Sequence, residues 1–440
     1  MRIFFISMID YLDMRDASPS APPGLKTSKS NSHPKQISSQ DFGWRLRGKP
    51  IRVLPDSSMR MSRIRPSAAA ALLSSYCDRA SVLSCLQCGA CTATCNLSDA
   101  GDMFPRRQMA LLQCGQLQKL IADPDIWLCA NCADCSSGCP AHVRPGQIMA
   151  ALRLLAIEHH SAPRWWSRIA NRRRGSLFAS LLAAAVLLAA VAVGGSFSPQ
   201  AHPVLYSSLL PHSTLNLLFG FLSVFLLMTV GRGATHAWTE FTGEQPWEAE
   251  WRRLGRSLAS VSREVLTQKS FLECQQFTFS RVAHMAVFYG FLALAGLAGL
   301  TAVLMLLGYP YPFPALHPLK IFGNVAAALV TAGTLYFIYQ RRQAHTNGEP
   351  SAWHERVLLW QILLVSITGI LAEVLRYASV PVLAYPIYFV HLALVFVLLT
   401  GLAYSKLAHV AYRTVALTAR HYQTMAPIPH VAFEPRRMAA

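Results

Sequence analysis

Eight of the eleven cysteines fall into two copies of one pattern, Cys85-x2-Cys88-x2-Cys91-x3-Cys95 and Cys129-x2-Cys132-x2-Cys135-x3-Cys139, offset by 44 residues at every cysteine (129 − 85 through 139 − 95). Thiolates spaced in this way on a tight loop reach three irons of one cubane, and the fourth cysteine of such a run ligates the neighbouring cluster. The spacing therefore assigns Cys85, Cys88, Cys91 and Cys139 to one 4Fe-4S cluster, and Cys129, Cys132, Cys135 and Cys95 to a second. The chemistry of such a pair is one-electron transfer.

Zinc also takes Cys-x2-Cys pairs, but a tetrahedral site has no use for a third step of the same spacing. Disulfides are the other alternative. The apolar start Met1–Ile9 is short, lacks a small-residue cleavage site and runs into Asp10 and Asp13, so it does not read as a secretory signal. Cysteines at ligand spacing in a non-secreted segment read as a cofactor site in a reducing compartment. Cys77, Cys114 and Cys274 stand outside the repeat and are expected to be structural thiols.

The second set of candidate ligands is histidine. An ionisable side chain within an apolar helix is a functional hypothesis by default, and imidazole is a haem ligand. His391 and His409 lie 18 residues apart (409 − 391). On one continuous helix that is five whole turns, which would put both rings on one face, about 27 Å apart. His284 is expected at the level of His409 and forms the better pair with it. For His391 the expected partners are His212, which is favoured, and His317. His236 competes with His284. His33, His345, His354, His421 and His430 fall in tails or loops.

These ligands need elements to hold them. The chain is 52% hydrophobic and 14% charged, and Gly175 to Gly231 contains no Asp, Glu, Lys or Arg, which is room for two membrane spans and a turn. Further spans read at about Val282 to Leu307, Ile321 to Gln340, Val357 to Arg376 and Pro386 to Ser405, six in all. Lys and Arg crowd one set of connections. Arg168 and Arg172 to Arg174 precede the first span, seven more from Arg232 to Arg281 follow the second, Arg341, Arg342 and Arg356 follow the fourth, and Lys406 with four Arg follow the last. The opposite loops hold almost none, which predicts both termini and the cysteine domain in the cytoplasm. The net charge of +18 is accounted for by these flanks, and no nucleic-acid motif accompanies it.

The fold class that follows is mainly α: a cytoplasmic α-helical ferredoxin-like domain fused to a six-helix transmembrane bundle. Residues 1–64 read as a disordered extension, since Ala17 to Gln40 is rich in Ser, Pro, Lys and Asn. Met59 and Met61 just before the regular region leave room for a later start. Residues 65–162 form the two-cluster domain, 175–413 the membrane domain and 414–440 a cytoplasmic tail. Between the cysteine runs a helix is expected from Pro105, interrupted at Gly115, and a second helix runs from Pro145 to His159 after the second run.

Particular stretches resemble known families. The cysteine repeat with Phe104-Pro-Arg-Arg107, Pro124-Asp-Ile-Trp-Leu-Cys-Ala-Asn-Cys132 and Cys139-Pro140 running into Pro145-Gly146 is similar to the iron-sulfur C subunit of heterodisulfide reductases. Arg281-x2-His284 with Tyr289-Gly-Phe291, Glu373-x-Leu-Arg376, His391 and Tyr404-Ser-Lys-x2-His409 are similar to the cytochrome b subunit of the same complexes. Fused in this order, over roughly residues 65 to 415, they resemble the membrane subunit of quinone-interacting membrane-bound oxidoreductase complexes. Asn96 after Cys95 departs from the proline usual there.

The resemblance implies a bacterial or archaeal cytoplasmic-membrane subunit with two 4Fe-4S clusters and one or two haem b groups. It would relay electrons between membrane quinone and the A and B flavoprotein subunits of the complex, and through them adenylylsulfate reductase. Glu373 and Arg376, one turn apart and close in height to His391, are either an interfacial ion pair or part of the quinone site; a site near Lys406 and His409 is the alternative. Two rival readings remain: an anchor serving heterodisulfide or sulfite reduction with the same cofactors, and a six-span transporter or sensor with a metal-binding domain.

Overall fold

The computed structural model describes residues 82–98, 103–170, 173–197, 203–269, 278–346 and 353–425. All belong to one compact unit, Ile64–Ala440. The expectations for the N-terminal extension, for Met59 and Met61, and for Cys77, Cys274, His33 and His430 lie outside the described residues.

Every regular element among the described residues is a helix. The first cysteine run carries α1 (Ala90–Thr94) and the second carries α4 (Asp134–Ser137). Between them lie α2 (Arg106–Gln113) and α3 (Leu117–Ile121), parted by Gly115, and a 3-10 turn, Pro124–Trp127. Asp123 caps that turn by accepting from the Asp125 amide, with proline in the position where a missing N–H costs nothing. The domain closes with α5 (Pro145–His160), whose Ile148, Met149, Leu152, Leu155 and Ile157 are fully buried.

After α6 (Arg164–Ala170) come α7 (Arg173–Gly194), the short α8 (Tyr206–Leu209), α9 (His212–Thr242), α10 (Trp251–Thr267), α11 (Thr278–Leu306), α12 (Pro318–Thr346), α13 (Trp353–Tyr377), α14 (Pro381–Leu402) and α15 (His409–Thr424). Six of these, α7, α9 and α11 to α14, contain segments long and apolar enough to cross a membrane. Their outward faces present Leu217, Phe221, Leu227, Leu292, Val303 and Phe322, as contact with lipid tails requires. Neighbours pack in the order α11, α12, α13, α14, with α7 and α9 both against α14.

Two of the sequence expectations do not hold. The last span is not continuous to His409, because α14 stops at Leu402. Tyr404 is fully buried and its hydroxyl donates to the Ala162 carbonyl at 3.0 Å; Ser405 turns extended and its Oγ accepts from the Leu407 amide at 3.2 Å, capping a 3-10 turn at Lys406–Ala408. The shared-face argument for His391 and His409 therefore fails. Residues 414 onward are also not simply a tail, since α15 buries Tyr412, Ala416, Leu417, Ala419 and Tyr422.

That burial makes one core of two regions. Phe104, Met109, Trp127 and the buried face of α5 share a cluster with Ala237, Trp238 and Phe241 of α9 and with Tyr412, Ala416 and Tyr422 of α15. Tyr412 stacks on Trp127 at 5.7 Å on one side and on His160 at 5.7 Å on the other. Gly233 of α9 leaves the space for its hydroxyl: a Cβ there would collide with Tyr412 Oη. Gly233→Ala should therefore lower stability by about 1–3 kcal/mol through overpacking. Gly220→Ala, where a Cβ meets nothing within 4 Å, should be neutral or stabilising. Thermal unfolding of the two variants in detergent makes the comparison.

Candidate functional site

The two cysteine runs fold alike. The second residue after the first cysteine takes positive φ in each (Gln87 55°, Asn131 61°), and so does the fourth (Gly89 86°, Ala133 67°). These left-handed positions curl each loop around its sulfurs, and the Asn131 amide donates to Cys129 Sγ at 3.3 Å. Helices α1 and α4 then pack together, Thr94 against Gly138. Burial pushes the Cys135 thiol up to about 12, with Cys129, Cys132 and Cys95 adding to the rise. Burial also raises Cys95, and the Cys129 and Cys132 sulfurs reinforce it against hydrogen bonds from the Leu97 and Ser98 backbone. Cys91 is raised by burial and then by Cys85. Cys95 thus sits electrostatically with the other run's first three sulfurs. Crowded sulfurs of this kind are relieved by a shared cationic centre.

At the base of the domain the rings of His284 (α11) and His409 (α15) face each other, 6.3 Å between centroids and 68° between planes. His409 Nδ1 donates to the Lys406 carbonyl at 2.6 Å, which leaves the lone pair on Nε2. His284 Nδ1 bonds to Gln268 Oε1 at 3.1 Å, with the same consequence. Burial pushes His409 down to about 3, and the facing His284 contributes, so the ring is neutral at physiological pH. Lys406 is itself held by Glu355 at 2.6 Å, and Arg341 reaches the same carboxylate at 3.0 Å.

Comparison with known proteins bears on the cysteine region. Residues 81–143 match the family described as 4Fe-4S dicluster domain. This region is a 4Fe-4S dicluster domain. The chain is 35% identical over 78 residues to a protein of Archaeoglobus profundus that is like the C subunit of heterodisulfide reductase, a match covering 18% of this chain and 42% of that protein. It is 34% identical over 78 residues to the iron-sulfur C subunit of the CoB–CoM heterodisulfide reductase of Methanopyrus kandleri, covering 18% and 41%. The C subunit of the ferredoxin:CoB–CoM heterodisulfide reductase of Methanosarcina acetivorans is 36% identical over 73 residues, 17% of this chain and 29% of its own. The chain thus spans less than half the length of these relatives. No solved structure matches.

The dicluster domain is wired to the histidine pair by residues that no sequence motif marks. One turn beyond His409, Arg413 donates to the Cys129 carbonyl at 3.3 Å, and Arg153 of α5 donates to the same oxygen at 2.5 Å. Arg420 pairs with Asp125 at 3.4 Å. These arginines act on backbone or on a residue remote in sequence, which is why spacing does not disclose them. Gln268, which orients His284, is equally unmarked.

His391 lies ten residues into α14 (391 − 381), about 15 Å from its start, and so near mid-span instead of near the outer surface. Its Nδ1 bonds to Thr368 Oγ1 and to the Val365 carbonyl, both at 3.1 Å, and its ring lies where a Cβ on Gly369 would meet it at 3.0 Å. His212 begins α9 and packs edge-on to Tyr311 at 5.1 Å, so the structure does not bring it to His391. His317 stacks on Phe313 at 4.4 Å. His236 does not compete with His284; it meets His160 at 3.0 Å. Glu373 and Arg376 are not paired with each other, since Glu373 binds Lys320 at 3.3 Å and Asn324 at 3.2 Å while Arg376 lies over the Tyr377 ring. Cys114 is exposed.

The grouping of Cys95 with Cys129, Cys132 and Cys135 predicts that Cys95→Ser damages the cluster held by the second run. Low-temperature paramagnetic resonance of the variant reads this. Selective loss of the cluster held by Cys85, Cys88 and Cys91 would contradict the grouping.

Proposed function

We propose that the chain is the membrane component of a respiratory electron-transfer complex, passing electrons between membrane quinone and soluble flavoprotein partners through haem b and two 4Fe-4S clusters. One observation carries this reading: a single helix, α15, begins at His409 and one turn later holds the carbonyl of Cys129 through Arg413. Quinol oxidation delivers two electrons, whereas haem and iron-sulfur clusters accept them singly, so closely placed one-electron carriers are required. In this reading Cys85, Cys88, Cys91 and Cys139 hold one cluster, and Cys129, Cys132, Cys135 and Cys95 the other.

The chemistry of the donor set suits haem at His284 and His409. Two imidazoles bound on opposite sides of one iron, through bonds of about 2 Å, have ring centres about 6 Å apart. The separation here is 6.3 Å, and each Nδ1 is committed to an oxygen acceptor, the arrangement that fixes the tautomer and aims Nε2 at a metal. His391 has the same Nδ1 arrangement, but no second histidine ring packs against it among the described residues. One haem is therefore the number this reading adopts. The arginine-rich connections and the dicluster domain share one end of the bundle, which supports a cytoplasmic placement.

For quinone, the cleft between α6, α7, α13 and α14 fits better than Glu373 and Arg376. Glu373 is already ion-paired. The cleft is lined by Trp166, Trp353, Thr400 and Ser405 and contains Gln361, whose buried Nε2 makes no hydrogen bond among the described residues. An amide donor in an aromatic cleft matches a quinone carbonyl.

The relatives matched are named as heterodisulfide reductase subunits, so an anchor serving heterodisulfide or sulfite reduction keeps the same cofactors with a different soluble partner. The adenylylsulfate reductase pathway rests on the resemblance of the fused arrangement, and co-purification of the flavoprotein subunits distinguishes the two. A transporter or sensor would contain neither acid-labile sulfide nor haem.

Two outcomes are expected. His284→Ala and His409→Ala should each abolish the same haem, read by redox-titrated absorbance of membranes, with the clusters no longer reducible by quinol; loss of different haems would overturn the pairing. Gln361→Leu should raise the KM for quinol about 3- to 10-fold, the worth of one hydrogen bond, with haem and cluster content intact. An unchanged KM would remove the cleft from consideration.

A further inference from the structure

Where α5 meets the dicluster-side end of α9, four metal-binding side chains converge that the electron relay does not use. His159 and His160 end α5; His236 and Glu240, four residues apart, share one face of α9. One ligand atom from each lies within 4.8 Å of the other three. His160 Nδ1 is 3.0 Å from His236 Nδ1, and His159 Nε2 is 2.8 Å from Glu240 Oε1. Glu240 also stands 3.8 Å from His160 Nδ1 and 3.7 Å from His236 Nε2. We propose that His159, His160, His236 and Glu240 bind one zinc ion that staples the dicluster domain to α9.

Ligands at bonds of about 2.0–2.1 Å in a tetrahedron are about 3.3 Å apart; the His160 Nδ1–His236 Nδ1 and His159 Nε2–Glu240 Oε1 separations of 3.0 and 2.8 Å lie just inside that value, and one atom from each of the four residues lies within 4.8 Å of the other three. The two Nδ1 atoms at 3.0 Å are close enough to share one proton or to bind one cation. His160 is 3% exposed, and its buried Nε2 has no hydrogen-bond partner among the described residues. As metal ligands, three imidazoles and one carboxylate bring a single negative charge to a divalent ion, with Arg164 bonded to the His159 carbonyl at 3.3 Å beside it.

Haem does not fit. Imidazole nitrogens on opposite sides of one iron are about 4 Å apart, and the 3.0 Å approach of His160 and His236 is too close. Four protein ligands also close the coordination shell, which marks a structural ion instead of a catalytic one. Zinc carries no electrons and so stands beside the relay without entering it. It would fix α5 against α9 at the point where His160 stacks on Tyr412, three residues after His409. The spacing between clusters and histidine pair would then be set by a metal.

The test is elemental analysis and zinc-edge X-ray absorption on the full chain purified in detergent. One zinc per chain with a shell of nitrogen and oxygen and no sulfur is expected. Glu240→Gln and His236→Ala should each lose that zinc while retaining iron, acid-labile sulfide and haem. Substoichiometric zinc in the unaltered protein overturns the proposal, as does zinc retained in both variants. A sulfur-containing zinc shell would overturn it too, and would count against the iron-sulfur reading as well. Loss of haem in His236→Ala with zinc retained would instead make His236 a haem ligand. The absorption spectrum of the unaltered protein decides the ligand set even if a variant fails to fold.

Discussion

The seating of Tyr412 between Trp127 and His160 is the contact on which the arrangement depends. It joins the 3-10 turn before the second cysteine run, the last turn of α5 and the start of α15 in one buried core. A fully buried aromatic there contributes both area and shape. In the proposed relay, the groups that must be close are fixed relative to this ring: Cys129 lies two residues beyond Trp127, and His409 lies three before Tyr412. A dicluster domain on a loose tether would leave these distances to chance. Here the domain and the ends of the apolar helices are a single packed object.

The chain reaches that seat only because α14 ends early. An uninterrupted helix would carry residues 403–412 straight on from the bundle. Burial of Tyr404 against the α5–α6 connection and the Ser405 cap turn it instead, and the turn is stabilised by charge. Lys406 and Arg341 converge on Glu355, which is 6% exposed, so α12, α13 and the turn are tied at the apolar boundary. A buried carboxylate with two cations costs desolvation that hydrophobic packing would not, and what it provides is position. The Lys406 carbonyl holds His409 Nδ1, so the ion cluster orients the imidazole that follows it.

The opposite end of the bundle is built differently. Tyr206 stacks on Tyr388 at 4.1 Å and donates to the Ala372 carbonyl, while Tyr385 bonds to Ser208 and to the Leu205 backbone. Aromatic rings with polar tips suit a boundary between lipid and water, where one edge is apolar and the other wet. The Lys320–Glu373 pair belongs to this belt.

The sequence alone determined the features that are local or periodic. Cysteine spacing is a property of one short loop, so the two runs and their cofactor class were readable, and uninterrupted apolar stretches gave six spans within a few residues because span length is set by membrane thickness. The facing of His284 and His409 was also readable, from helix ends and loop charge. What only the tertiary structure decided are features made by residues distant in the chain. The early end of α14 depends on Tyr404 finding Ala162, 242 residues away. The contacts of Arg413 and Arg153 with a cysteine carbonyl leave no compositional trace, and neither does the meeting of His159 and His160 with His236 and Glu240, since each pair alone is ordinary helix-end chemistry. His391 and His212 show the converse: an 18-residue interval and a shared membrane side suggested ligand geometry, but helix breaks and depth within the span are set by packing, to which periodicity is blind.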